Sequence, residues 1–190
     1  MYATQAIEPD APTAGLVDRA NDLFDRVSPY RKDGFRNHCL RLFELGKMVM
    51  DKEGIDVDAN AVYAICMVHD LGILADGTEG RTYMHRSLDL FRKHFGDEEL
   101  GGMASQDLEE LMLFNHRVLP VPNVCDAAEA LRKAVWVEHS RGHRAHGLDK
   151  AEVRKVFDRY PRLDFDFVLL DFFQRTVRHE PTTIVNGIFF

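Results

Sequence analysis

Residues 66–74 read CMVHDLGIL, an apolar run that closes on His69-Asp70 and is broken by Gly72. Upstream, Val62, Ile65, Cys66 and His69 recur at the three- and four-residue steps of one helix face. The spacing predicts a helix opened by Asp58 as its N-cap and ended near Leu71-Gly72. An imidazole and a carboxylate then stand together where that helix leaves the interior. Three more histidines sit on or beside apolar stripes. His38 leads the series Leu42, Leu45, Val49; His85 lies among Met84, Leu88 and Phe91; His116 follows Leu108, Leu111 and Met112. Any one of these reads as a core histidine bonded to backbone, but several buried imidazoles together need partners to offset desolvation. Imidazoles and a carboxylate aimed into a helical interior point to a metal site, and a carboxylate at a helix end could bridge two ions.

Outward from this string the pattern stays helical. Helices are expected over Leu16–Val27, Phe35–Lys52, Arg81–His94, from Asp107 towards Leu119-Pro120, over Asp126–Ser140, from Asp149 to Tyr160, and over Asp164–His179. The expected fold is an all-α helical bundle, with a single domain over residues 15–190 and a loose Pro/Ala-rich arm over 1–14. The apolar tail, PTTIVNGIFF at 181–190, is expected to pack as a short extended segment, on its own domain or on a second copy in a homodimer.

Composition narrows the class. The chain has 190 residues, of which 45% are apolar and 29% charged, so one well-buried domain is the expectation. A net charge of −7 provides no global basic field for nucleic acid or anionic lipid, so neither is an expected partner. No run of about 18 apolar residues exists to span a membrane. Three cysteines, Cys39, Cys66 and Cys125, form no framework, which favours reduced thiols and a cytoplasmic location; residues 1–15 do not read as a signal peptide. Walker-type, GxGxxG and GxSxG motifs are absent from the sequence, which removes support for nucleotide-motor, dinucleotide-binding and serine-hydrolase readings.

The ordered histidines resemble those of the HD superfamily of metal-dependent enzymes, whose pattern is H…HD…D, with two inserted histidines in dinuclear members. His38, in FRNHCLRLFELG, matches the first histidine; His69-Asp70 match the pair; His85 and His116 match the insertions. The likeness spans roughly Phe35 to Gly142. One departure stands out: the family's last Asp has no counterpart in LRKAVWVEHSRG, where Val135 follows Ala134, and the nearest carboxylate is Glu138. Glu138 is therefore the candidate sixth ligand, against the alternative of a glutamate pointing to water.

The resemblance implies an HD-domain-like bundle holding one or two divalent transition-metal ions, Fe, Mn, Zn, Ni or Co. It further implies a phosphohydrolase-type enzyme acting through metal-activated water on a small anionic metabolite or nucleotide, with Asp70 as the catalytic carboxylate. Alternatives are a di-iron oxygenase cleaving a C–C or C–P bond, a cyanamide or nitrile hydratase-like enzyme, and a degenerate binding module. Around such a site Arg117, Arg141, His143 and Arg144 are the candidates to hold an anion. The histidines of HSRGHRAHG, residues 139–147, have helical spacing, but Gly142 and Gly147 interrupt them, and the segment is expected to be mainly a solvated loop.

Overall fold

The computed structural model describes residues 15–28, 30, 33–74, 82–96 and 99–181, and among these the chain is all-helical. The elements are α1 (Leu16–Val27), α2 (Asp33–Glu53), α3 (Ala59–Val68), a 3-10 turn (Leu71–Leu74), α4 (Tyr83–His94), α5 (Ser105–Phe114), α6 (Asp126–His139), α7 (Lys150–Arg159) and α8 (Phe165–His179). The expectations for the arm at 1–14, for Arg81 and for the tail beyond Pro181 fall outside the described residues.

The centre is α3. Ala61, Val62, Ala64, Ile65, Cys66, Met67 and Val68 are all buried, so the helix is apolar all round and is enclosed by its neighbours. Asp58 starts it as expected, accepting from the backbone N–H groups of Asn60 (2.8 Å) and Ala61 (2.9 Å). Helices α1, α2 and α4 pack around it, and α6 lies along α2. The stripe Leu42, Leu45 and Val49 of α2 is fully inward. Gly54, with φ of 71°, ends α2 in the left-handed conformation that favours glycine.

One helix end differs from the sequence expectation. α5 stops at Phe114 rather than near Leu119, because Asn115 turns its amide back to donate to the carbonyls of Leu111 (2.8 Å) and Met112 (3.2 Å). His116 therefore sits in the turn beyond the helix. α6 runs through His139, so the first histidine of the 139–147 segment is helical, while His143 and His146 lie in the exposed turn after it.

No described helix is long and apolar enough to cross a membrane. α8 keeps one face outward, with Phe167 and Phe173 exposed.

Candidate metal centre and cavity

α3 delivers His69 and Asp70 immediately after its last residue. The Nδ1 of His69 donates to the carbonyl of Cys66 at 2.7 Å, which fixes the tautomer and leaves Nε2 bare. That Nε2 faces the Nε2 of His38, on α2, at 3.4 Å. The Oδ2 of Asp70 lies 3.1 Å from the His69 nitrogen and 3.5 Å from that of His38. Three donors around one ion at about 2.0–2.2 Å stand roughly 3.0–3.6 Å apart, so these spacings fit a shared cation. All three residues are buried, and they form a group able to hold a metal.

The second oxygen of Asp70 strengthens that fit. Oδ1 is buried without a hydrogen-bond partner, and it stands 3.8 Å from the Nε2 of His116. An ionised oxygen left in this way is costly unless something cationic or protic completes it. Burial works against the Asp70 carboxylate, but His69 and His116 beside it hold its pKa well below the usual range. Burial, aided by the neighbouring imidazoles and opposed by Asp70, pushes His116 down to about 3, so its ring is neutral and available as a ligand. Tyr83, from α4, places its hydroxyl 3.3 Å from His116 Nδ1 and orients the ring from behind.

Glu138 is buried, not solvated, and with His38 and His139 it forms a second group able to hold a metal. Its Oε1 accepts from Arg41 Nε (2.9 Å), Arg41 Nη2 (2.6 Å) and Arg162 Nη1 (2.8 Å). Its Oε2 lies 3.2 Å from Nδ1 of His38 and 2.9 Å from Nδ1 of His139. The carboxylate is thus hydrogen-bonded to the His139 ring and lies against that of His38; where it does not itself ligate, such a carboxylate fixes ring orientation and raises ligand basicity. Phe165 stacks on the other side of His38, with ring centroids 4.2 Å apart.

His139, the last residue of α6, is a site residue that the metal-ligand pattern of the sequence does not include. Its ring lies 5.6 Å from that of His38 and 5.7 Å from that of His116. It stands one turn after Val135, and both residues line the same cavity. Three imidazoles, His38, His69 and His116, therefore stand within 4 Å of Asp70, and His139 adjoins the group through His38 and His116. His85 is not among them: its Nδ1 lies 2.9 Å from the hydroxyl of Thr82, the cap of its own helix.

The cavity opens over this group with a volume of about 440 Å³. Asp70, His116 and His139 form its polar part, against a wall that includes Phe165, Trp136, Val135 and Phe172. The side chains expected to hold an anion do not line it. Arg141 is exposed and pairs with Asp166 at 2.7 Å; Arg144 lies over the Trp136 ring at 5.8 Å; Arg117 lies over Phe114 at 5.5 Å; His143 is exposed. Arg86, by contrast, ties the turn after the motif in place: its Nε donates to the Gly72 carbonyl at 3.0 Å, and its guanidinium pairs with Glu180 beyond α8.

No protein-family model matches the chain, and no curated protein matches it.

Proposed function

We propose that this chain is an HD-type metal-dependent hydrolase acting on a small molecule. The observation that supports it most is the convergence of His38 Nε2, His69 Nε2 and Asp70 Oδ2 beside a cavity, with Asp70 Oδ1 left without a partner. In this reading His38, His69 and Asp70 hold one divalent transition metal, and His116 is available to a second. Such an ion supplies Lewis acidity and lowers the pKa of water at neutral pH.

The chain's own residues do the rest. Asp70 keeps an anionic oxygen at the polar end of the cavity, where it orients the attacking water. The Nδ1–H of His139 donates to Glu138 Oε2, leaving Nε2 to exchange a proton with a molecule in the cavity. Burial works against the Glu138 carboxylate, but His38 and His139 beside it hold its pKa well below the usual range, so it favours the protonated ring that such an exchange produces.

The test is hydrolysis of p-nitrophenyl esters after reconstitution with Mn, Co, Ni or Fe, with and without a chelator. The expected result is metal-dependent release that chelation lowers by at least about a hundredfold. Release that is indifferent to chelation and to His69→Ala would contradict the proposal.

A second reading is an iron oxygenase. The observation that favours it is the predominance of imidazole, His38, His69, His116 and His139, over carboxylate in the cluster. Iron-dependent consumption of O2 would distinguish it from hydrolysis, which proceeds without oxygen.

A further inference from the structure

We infer that the cavity takes a molecule whose body is uncharged and apolar or aromatic, presenting one polar group to Asp70, His116 and His139. The inference rests on the reading of the cluster as a metal-dependent site, and it replaces the anionic metabolite that the sequence resemblance implies.

Trp136, Phe165 and Phe172 supply aromatic faces and edges, Val135 and Leu169 supply aliphatic wall, and the half-exposed Leu170 stands among the outermost lining residues. Among the described lining residues there is no Lys and no Arg. Of the nearby guanidinium groups, Arg41 and Arg162 are held by Glu138 and Arg141 by Asp166, while Arg144 lies over the Trp136 ring and Arg117 over that of Phe114. Asp70 is the one acidic side chain among the described lining residues. A cation beside it would attract a single polar or anionic atom there, but it cannot solvate the remainder of a molecule. A sugar phosphate or nucleotide would have to shed water from hydroxyl and phosphate oxygens against apolar walls that return no hydrogen bonds. An apolar body gains from the same desolvation. A volume of about 440 Å³ suits a small molecule held in this way.

Trp136 is the single tryptophan of the chain, and it lines the cavity, so its fluorescence reports occupancy. The experiment is quenching by nitrobenzene, followed by displacement with toluene or with ribose 5-phosphate. It is done on the protein as purified and on Leu169→Lys, Leu170→Lys and Phe167→Lys. Phe167 is 75% exposed and lies on α8 but outside the cavity, which makes it the control. The expected result is saturable quenching, relieved by toluene and not by ribose 5-phosphate. Leu169→Lys and the half-exposed Leu170→Lys should each weaken it at least about tenfold, and Phe167→Lys should leave it unchanged, with helix content equal throughout.

Displacement by ribose 5-phosphate ahead of toluene, absence of saturable quenching, or equal loss in Phe167→Lys would overturn the inference. Metal analysis of the same samples separates it from the functional reading. Bound metal together with preference for ribose 5-phosphate overturns the substrate class alone. Nitrobenzene binding in a chain that holds no metal supports the cavity inference while the hydrolase proposal fails.

Discussion

Arg41 and Glu138 lie 97 residues apart in sequence and meet fully buried, with two guanidinium nitrogens at 2.9 and 2.6 Å from one carboxylate oxygen. Burial pulls the Arg41 pKa down, and the Glu138 charge resists it. Removing one partner leaves an uncompensated buried charge, a change that costs about 3–5 kcal/mol. Glu138→Ala is therefore expected to destabilise by that amount in denaturant unfolding, whereas the double variant Arg41→Met/Glu138→Leu recovers part of the loss. A single variant as stable as the parent would show that the pair carries no such role.

His85 and His116, the two inserted histidines of the sequence pattern, differ in their contacts. His116 faces the unpartnered oxygen of Asp70, while His85 is turned to the Thr82 hydroxyl. His116→Ala is expected to lower bound metal, and His85→Ala to leave it unchanged, by elemental analysis of equal amounts of folded protein. Loss of metal in His85→Ala would restore that residue to the ligand set.

Gly72 sits where no side chain fits. A Cβ there would collide with the Tyr83 carbonyl oxygen and lie 2.5 Å from the Ser87 amide nitrogen, both of them backbone. The turn that carries Asp70 must shift to accommodate a methyl group, so Gly72→Ala is expected to cost at least about 2 kcal/mol. Its thermal melting should fall, and its metal content should fall with it. A variant that melts with the parent would mean that α4 can withdraw from the turn at no cost.

Alkaline pH should destabilise the protein. Burial pushes the thiols of Cys39 and Cys66 up, so the folded state keeps protons that the unfolded chain gives away. The stabilisation is fully present below the unfolded thiol value of about 8.5 and is lost as pH rises beyond it. Each thiol that ionises only in the unfolded chain removes up to about 1.4 kcal/mol of stability for every further pH step of one. Melting temperature is therefore expected to fall steadily from pH 8 to pH 10. A flat or rising profile would contradict it. By the same burial, the native protein should react with a thiol reagent chiefly at the half-buried Cys125, and at all three cysteines once unfolded.

The helices were legible because amphipathic spacing is local. Val62, Ile65, Cys66 and His69 predict α3 and its inner end, and Asp58 caps it as its residue type suggests. The triad His38, His69 and Asp70 was legible for the same reason, since each lies on or next to an inward stripe. What escaped was decided by long-range contact. Glu138 could be singled out, but Arg41 and Arg162, which turn it into a support for His38 and His139, come from distant segments with no sequence sign of pairing. His139 was obscured by Gly142, yet its four-residue step from Val135 was a usable signal, because both line the cavity. The four groups assigned to anion binding were chosen by charge and proximity in sequence. Side-chain direction overrode both: Arg141 turns to Asp166, and Arg117 to Phe114.

The most direct measurement is the metal content of the parent protein and of His69→Ala, each purified without added ions and reconstituted anaerobically. His69 is fully buried, its Nδ1 is tied to Cys66, and its Nε2 is aimed at His38 and Asp70. The account predicts at least about one tightly held transition-metal ion per parent chain and less than about a tenth of that in the variant, with helix content equal in both. Equal metal in the two proteins, or none in the parent after reconstitution, would contradict the assignment of this cluster as a metal centre.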